Sequence, residues 1–463
     1  MENSNSTPLA QRFTIFSLLR FAAPSIGMML VISLYTVTDG IFIGRYAGAL
    51  ALAASNIVYP VINLVLGLAI MLASGGSAIV AKNLGEGQVA AANHRFAWLT
   101  AAGAGIALCL ALSVGLFLAP ILDFLGASPA MLADCRLYLG ILLPFFPAAA
   151  LMVIFNAFYI ADGRPIQGFL VSVASGITNA ALDYLFLAEW ELGISGAALA
   201  TGIADLLAAG IGLIYFTRFS RTLHLRAFRP ELPVLSAACS NGVSELVTQL
   251  SVGLVTFLFN LITFRWAGES GVAAISIILY AEMLLTSILM GFTNGVAPIF
   301  SYHYGARHHQ ELTRLLKISL GIITSFSLLT FASSRLLATP LITLFLPDGG
   351  PAFTLTLSGF LLFSLSFLLV GFNLFASGFF TALSNGKTSA LLSFVRNLAG
   401  IVIFLMLLPR YLGLPGVWLA VPAADLAALL LTLFCLYNEN QALLQRQKEL
   451  TAKYKTIFST KVL

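Results

Sequence analysis

The sequence has few charged residues for its length. Asp, Glu, Lys and Arg make up 9% of its 463 residues, whereas about 25% is usual in soluble domains. Hydrophobic residues make up 59% of the chain, and the mean hydropathy is +0.95. Because a soluble core cannot hide so much apolar surface, this composition excludes a soluble globular domain and indicates a polytopic membrane protein.

Residues that build disulfide frameworks, metal centres and hydrolytic sites are also scarce. The four cysteines are scattered and lack the spacing of a metal site. Three of the five histidines lie at 303–309, where we favour a solvated loop over a metal site. The sequence has no Walker A loop, nucleophile elbow or HExxH helix. We therefore expect no enzymatic activity and no cofactor. We attribute the net charge of +5 to loops beside a lipid bilayer rather than to nucleic-acid binding.

Apolar stretches long enough to cross a membrane recur along the chain, since one span needs about 20 apolar residues. They predict an all-α fold with 12 transmembrane helices. The expected helices lie near residues 14–44, 52–80, 95–120, 132–160, 168–188, 194–217, 236–266, 272–303, 313–340, 352–383, 389–409 and 414–437.

Lys and Arg are unevenly divided between the two sides of this arrangement. Nineteen of the 24 fall on the side that carries both termini, and 5 fall on the other. The positive-inside rule therefore predicts cytoplasmic termini in a plasma (inner) membrane. The most basic loop, 218–235, separates an amino-terminal lobe (1–225) from a carboxy-terminal lobe (226–440), and a cytoplasmic tail (441–463) follows.

The two lobes contain a repeated pattern. GAALATGIADLLA in the first resembles GVWLAVPAADLAA in the second, and an offset of 220 residues aligns Asp205 with Asp425 and Gly85 with Gly305. Six helices per repeat give both lobes the same orientation, an architecture in which transporters bind substrate between the halves. We expect two pseudo-symmetric six-helix lobes around a central cleft in a monomer, with an architectural role for the two aligned aspartates.

Acidic residues lie within the predicted helices, and no Lys or Arg is expected near their middles. A buried carboxylate without a partner base must be protonated or hold a cation. Ionisable groups inside a membrane usually mark an ion or substrate pathway. The pattern therefore predicts a cation-coupled carrier. The acids are Asp39, Asp183, Asp205, Glu245, Glu282 and Asp425.

Four polar residues of the first lobe are expected at a common depth. Asp39, Asp183 and Thr201 lie roughly 7–11 Å from the outer ends of their helices, at 1.5 Å per residue, and Asn179 lies one turn below Asp183. Such oxygen ligands suit a proton or a hard cation such as Na⁺. Depth alone is equally compatible with four separate contacts between helices.

Several motifs, in their order and spacing, resemble the multidrug and toxic compound extrusion (MATE) family, and its bacterial multidrug branch most of all. The resemblance covers nearly the whole chain and both repeats. Its motifs are LLRFAAPSIGMML, TVTDGIFIGRYAG (36–48), LASGGSAIVAKNLGEG (72–87), NAALDYLF (179–186), GAALAT (196–201) and GFTNGVAPIFSYHYGA (291–306).

The resemblance implies a fold of two six-helix lobes with a central cleft, and export of organic cations in exchange for H⁺ or Na⁺. The family's amino-lobe cation site matches this sequence at each of its positions, Asp39, Asn179, Asp183 and Thr201. Pro24 matches a proline at which the first helix bends in the family. We therefore hypothesise that protonation near Asp39 is coupled to movement of that helix.

The second lobe offers acids at mid-membrane depth. Glu245 and Glu282 match acidic positions in parts of the family, and we expect them to attract cationic substrate unless they only bond neighbouring helices. The tenth helix has Asn373 where some relatives have an acid, which argues against a second cation site there. Tyr35, one turn before Asp39, is a candidate for cation–π contact with substrate.

Three other functions compete with antiport of small organic cations. A flippase or exporter of lipid-linked substrates would use the same two lobes but needs basic groups for phosphates. A channel or receptor fits two parallel repeats with midplane acids less well. An intramembrane enzyme needs a nucleophile–base pair or a metal cluster, and the sequence indicates neither.

Overall fold

The computed structural model describes residues 8–346 and 349–461, and within these ranges every regular element is a helix. Twelve long helical segments follow one another along the chain. They are α1 Ile15–Ala47, α2 Leu50–Gly85, α3 Val89–Leu116, α4 Leu132–Ala161, α5 Pro165–Glu189, α6 Ile194–Phe219, α7 and α8 within Leu232–Gly305, α9 His309–Leu336, α10 Pro351–Leu368 and Val370–Ala382, α11 Gly386–Leu412, and α12 Leu414–Lys461.

Two helical segments bear on the number of spans. The helix Leu232–Gly305 is interrupted at Gly268, whose φ of 59° and ψ of −149° are not helical. Ala238 and Tyr302 both contact the last third of α2, so the chain folds back at Gly268 and α7 and α8 are separate spans. The α10 segment has a 3₁₀ turn at Ser364–Leu368 between its two helical halves. The twelve-helix prediction is confirmed.

The lobes approach each other most closely through glycines of α2, α7 and α8. A Cβ added to Gly85 would lie 2.0 Å from the carbonyl oxygen of Tyr302, and one added to Gly305 would lie 2.1 Å from that of Lys82. Both pairs obey the 220-residue offset, since Gly85 corresponds to Gly305 and Lys82 to Tyr302. A pseudo-twofold axis therefore passes between the ends of α2 and α8.

A second pair of close contacts, between α2 and α7, lies about three turns deeper along α2. A Cβ on Gly75 would lie 2.0 Å from the carbonyl oxygen of Ala238, and one on Gly242 would lie 2.0 Å from that of Met71. We call Gly75, Gly85, Gly242 and Gly305 the glycine seam. Any side chain at these positions would push the two backbones, and hence the two lobes, apart.

The seam lies towards one end of the molecule, which we call the basic end because its loops carry most of the bases. Towards the other end, Gly40 and Gly48 of α1 and its following turn have open space beside them, as do Gly253 of α7 and Gly268. The closest backbone contacts between the lobes are thus those of the glycine seam, at the basic end.

A short segment ahead of α1 crosses from one lobe to the other at the basic end. We call residues 8–13 the strap. The ring of Pro8 packs on Gly163, in the turn between α4 and α5. Leu9 and Phe13 are fully buried in the apolar core of the second lobe, and Arg12 Nε lies 3.3 Å from Glu311 Oε1.

The connection between the lobes packs on the first lobe. Asp162 accepts hydrogen bonds from the Tyr215 hydroxyl, the Ser220 hydroxyl and the Leu223 amide, at 2.8–2.9 Å. The amide of His224 donates to Asn93 Oδ1. The predicted boundary between 225 and 226 falls inside this connection, and it stays a prediction.

Candidate functional site

Two acids of the first lobe lie where α-helix changes to π-helix. Asp39 is within the last turn of the α-helical part of α1, which ends at Phe42 before the π-helical turn Ile43–Ala47. Asp183 is the last α-helical residue of α5, and the π-helical turn Tyr184–Glu189 follows it. Such π-bulges are rare and often occur at functional sites.

The structure brings the four predicted first-lobe residues together. Asn179 and Asp183 are one turn apart on α5, and Asn179 Nδ2 lies 3.5 Å from Thr201 Oγ1 on α6. The carboxyl groups of Asp39 and Asp183 are within hydrogen-bonding reach of each other. Side chains from α1, α5 and α6 therefore form one cluster, which we call the first-lobe acid cluster.

Four oxygens of this cluster have no protein donor. Both carboxylate oxygens of Asp183, Oδ1 of Asp39 and Oδ1 of Asn179 are buried without a hydrogen-bond partner among the described residues. Two facing carboxyl groups can bond each other only if one carries a proton, because two carboxylates only accept. Asp183 and Asn179 are 0% and 1% exposed. The cluster is thus chemically complete only with a proton or a cation.

Tyrosines surround the first-lobe acid cluster. The Cβ of Tyr35 lies 3.8 Å from the position that a Cβ on Gly176 of α5 would take. Tyr138 of α4 is buried and within electrostatic reach of Asp39 and Asp183. Sequence analysis did not single out Tyr138, because a single tyrosine among 13 carries no distinguishing signal.

The predicted acids of the second lobe lie elsewhere. Glu245 lines an internal cavity of about 40 Å³ between α7, α8, α10 and α11. Its polar lining includes Thr248, Thr293 and Asn397, and Asn397 Nδ2 donates to Thr248 Oγ1 at 2.8 Å. A cavity of this size holds one to a few water molecules, at about 10–15 Å³ each. Glu245 is thus not part of the first-lobe acid cluster.

A base lies inside the second lobe, contrary to the sequence prediction that the spans contain acids only. Arg396 is ten residues after the start of α11, which places it about 15 Å along the helix. Its Nε donates to Asp425 Oδ1 at 2.8 Å, and the two side chains are 13% and 1% exposed. The positive-inside count had assigned Arg396 to the membrane surface, and that assignment is wrong.

Asp425 is the centre of a hydrogen-bond network between α10, α11 and α12. The Ser366 hydroxyl donates to its Oδ2, and Asn373 Nδ2 donates to its backbone carbonyl at 2.9 Å. The Thr432 hydroxyl donates to Asn373 Oδ1 at 2.9 Å. Asn373, where some relatives were expected to have an acid, therefore supports a carboxylate supplied by another helix.

The symmetry-related Asp205 has a different environment. It is 9% exposed, and among the residues that the structure describes no ion pair includes it. Its neighbour on α6, Ala204, accepts a hydrogen bond through its carbonyl from Ser175 of α5 at 3.0 Å. The repeat conserves the two aspartates in position but not their partners.

Pro24 lies within the unbroken α-helical part of α1. Proline removes one backbone hydrogen bond from a helix, which weakens it locally. The next residue, Ser25, is fully buried and packs against Gly291 and Gly295 of α8. A change in the bend at Pro24 would therefore alter the contact between α1 and the second lobe.

These observations define a two-lobed polytopic membrane protein with a cluster of buried acids in its first lobe. A model of the MatE family matches residues 24–185 and 246–406. The matched residues make up more than half of the chain and lie in both lobes. The chain belongs to the MatE family and is a MATE family transporter.

Curated relatives and solved structures agree with this family. Multidrug export protein MepA of Staphylococcus aureus is 23% identical over 420 residues, covering 89% of this chain and 91% of that protein. MepA of Staphylococcus saprophyticus is 22% identical over 422 residues, with the same coverage.

Among solved structures, an outward-facing multidrug resistance MATE family transporter of the MOP superfamily matches with a TM-score of 0.88. It is 22% identical, and the match covers 96% of this chain and all of that one. A MOP superfamily transporter from Pyrococcus furiosus matches with a TM-score of 0.86 at 22% identity, over 96% of this chain and 99% of that one. These likenesses support the two-lobe fold.

Proposed function

We propose that this protein is a secondary antiporter that exports organic cations, including drugs, in exchange for H⁺ or Na⁺. The observation that carries the proposal is the first-lobe acid cluster, in which four buried oxygens have no protein donor among the described residues. Buried carboxylates without a bound proton or cation are costly in a low dielectric. Such a cluster therefore binds and releases a small cation each time the site opens to the other side of the membrane. The multidrug export function of the MepA relatives supports the choice of substrate class.

We place the basic end in the cytoplasm of a cell with a plasma (inner) membrane, so both termini are cytoplasmic. The excess of Lys and Arg at that end supports this orientation. The glycine seam then closes the cytoplasmic side, and the cleft faces outward. In this state the protein takes up the coupling cation and releases the substrate.

Coupling requires that the two cations favour different states of the same protein. In our proposal, occupancy of Asp39 and Asp183 pulls α1 towards α5 and α6, and Pro24 absorbs the change in α1. Release of the cation at the cytoplasmic side frees α1, and the cleft again accepts substrate. A Pro24→Ala variant that transports like the parent would contradict the role of the proline.

Glu245 and Glu282 are the acids that we assign to substrate. Both lie outside the first-lobe acid cluster, and Glu245 borders a cavity. Tyr35 adds an aromatic face near Asp39. We expect the substrates to be small organic cations bound by a monomer in the bilayer.

Export of a lipid-linked or anionic substrate is the alternative. Such a substrate would need positive charge at its binding site. Arg396 is a base beside the cavity that Glu245 borders. Arg396 is already neutralised by Asp425 at 2.8 Å. The acid beside this cavity, Glu245, therefore favours a cationic substrate.

The test is transport of a fluorescent organic cation in reconstituted vesicles, with a pH gradient and a Na⁺ gradient imposed separately. We expect one gradient to drive transport in the parent and Asp39→Asn to abolish it. The matched control is Asp123→Asn, an exposed acid outside the cluster, which should transport like the parent. Folded protein that transports under neither gradient would refute antiport of organic cations.

A further inference from the structure

The second lobe lacks the groups that form the acid cluster of the first. The 220-residue offset carries Asp39 to Phe259 and Thr201 to Val421. The same offset carries Asn179 and Asp183 of α5 into the α11 residues 398–403, which read LAGIVI and have no polar side chain. Repetition of the fold has therefore not produced a second cluster of the same kind.

The second lobe instead contains an internal ion pair. Arg396 and Asp425 join α11 to α12 within α-helices that cross the membrane, and Asp425 is 1% exposed. Arg396 Nη1 also donates to Asn397 Oδ1 at 2.7 Å. Arg396 lies in the π-helical turn Val395–Gly400, which adds one residue to the helix and rotates the side chains that precede it.

Two other charged groups face this pair from α7 and α8. Glu245 and Arg396 border the same cavity, and Glu282 is within electrostatic reach of both Arg396 and Asp425. Three acids thus surround one arginine. Asp425 alone among them forms a direct ion pair with it.

We propose that Arg396 is a built-in counter-cation that keeps Asp425 ionised and paired through the transport cycle, so that only the first lobe exchanges the coupling ion. This inference rests on the proposed antiport function. A tethered guanidinium remains charged at any physiological pH and cannot leave the protein. Asp425 therefore never needs a proton or Na⁺ from solution, whereas Asp39 and Asp183 do.

The pair also positions the second lobe. Breaking a buried ion pair by removing one partner leaves an uncompensated charge, which must then be neutralised. With Arg396 replaced by Gln, Asp425 would have to bind a proton when no other small cation is present. Arg396 thus acts through Asp425 and is a positioning residue, and its removal should create a new titratable carboxyl group.

The experiment is infrared spectroscopy of the full-length protein, purified in detergent in a Na⁺-free choline buffer at neutral pH. The signal is the carbonyl stretch of protonated carboxylic acids. We expect Arg396→Gln to gain one such band relative to the parent, and Arg396→Gln/Asp425→Asn to lose it again. Arg396→Lys, which keeps the positive charge, should resemble the parent.

Two results would overturn the proposal. One is a protonated-carboxyl band in the parent that Asp425→Asn removes. The other is folded Arg396→Gln protein without a new band. Neither result depends on drug transport, so the outcome is separate from failure of the antiport proposal, which would appear as absence of gradient-driven transport.

The double variant Arg396→Gln/Asp425→Asn removes both charges of the ion pair together and keeps the test available if Arg396→Gln does not fold. In reconstituted vesicles, the ratio of coupling ions to substrate is read from the opposing gradient at which net transport stops. We expect the same ratio as in the parent. A changed ratio would show that the pair exchanges ions, and would overturn the proposal.

Discussion

The two lobes share a fold but treat buried carboxylates differently. In the first, Asp39 and Asp183 face each other, and both oxygens of Asp183 and Oδ1 of Asp39 lack protein donors among the described residues. In the second, Asp425 is held by Arg396, Ser366 and Asn373. A carboxylate that needs an external cation can respond to an ion gradient, whereas one satisfied by the protein cannot. The difference indicates that a duplicated fold can separate ion coupling from architecture.

The strongest test of this difference between the lobes is substitution of Asp183. We expect Asp183→Asn to reduce gradient-driven transport by roughly 5- to 150-fold, the range of typical coupling free energies of about 1–3 kcal/mol. The amide cannot release a proton or neutralise a cation. The measurement is fluorescent-cation transport in vesicles under each gradient.

The control for Asp183→Asn is Asp123→Asn, which changes an exposed acid outside the helical spans. If Asp183→Asn transports at the parent rate under the same gradient, the first-lobe acid cluster does not couple ion and substrate. The distinction between the lobes would then fail.

The glycine seam tests the symmetry of the two lobes. Gly85→Ala and Gly305→Ala each place a methyl group about 2 Å from a carbonyl oxygen of the other lobe, so we expect both to open the basic end. The cost of such overpacking is about 1–3 kcal/mol. The measurement is labelling of a cysteine introduced beside the seam, together with transport rate.

The matched control for the seam is Gly105→Ala on α3, where an added Cβ meets open space. It should leave labelling and transport near the parent values. Unequal effects of Gly85→Ala and Gly305→Ala would show that the pseudo-twofold axis is a feature of shape but not of energetics.

A smaller effect is expected at Glu245. Glu245→Gln removes the negative charge but keeps the shape, so the apparent Michaelis constant for an organic cation should rise about tenfold, or about 1.4 kcal/mol. The choice of driving ion should not change. If transport by the variant no longer depends on the ion gradient, Glu245 takes part in coupling. Ion coupling would then not be confined to the first lobe.

The smallest effect is expected at Asp162, which lies between α4 and α5 and holds the connection between the lobes. Burial raises the pKa of Asp162, and hydrogen bonds from Tyr215, Leu223 and Ser220 oppose the rise. The folded protein therefore binds this proton more tightly than the unfolded chain. The Asp162 contribution to stability is then greatest at low pH and declines as the pH rises above the ordinary value of 3.8.

Asp162→Asn removes this pH dependence and replaces one acceptor oxygen with an NH₂ donor. We expect a loss of about 1 kcal/mol at neutral pH, seen as a lower melting temperature in detergent, and a flatter dependence of that temperature on pH. Transport should persist. A melting temperature equal to that of the parent at every pH would show that the connection is not anchored through this carboxylate.

Much of the architecture could be predicted because it follows from strong, local signals. Long apolar stretches predicted the twelve spans, and the shared aspartate at the 220-residue offset predicted the repeat that Gly85 and Gly305 now express in three dimensions. The first-lobe acid cluster was predicted from depth and family resemblance. The structure brings its four members together, and their function stays a prediction.

The Arg396–Asp425 pair could not be predicted for a physical reason. The expected start of the eleventh helix, near 389, put Arg396 seven residues from the surface, whereas α11 begins at Gly386. The positive-inside count assigns each Lys or Arg to the side of the membrane at the nearest helix end. It does not reveal that a carboxylate on α12, 29 positions later, lies at the same depth. Tyr138 was missed because packing, not pattern, brings it to the acids.

The strap has a consequence for how the protein is made. Arg12 contacts Glu311, which is encoded about 300 residues later, so at about 5–20 residues per second synthesis separates them by about 15–60 s. Over that interval Leu9 and Phe13 have no core to enter, since its other members belong mainly to the second lobe. Among the described residues, those translated first are therefore among the last to reach their native contacts. Until the second lobe is made, the first lobe lacks the contacts of the strap at its basic end.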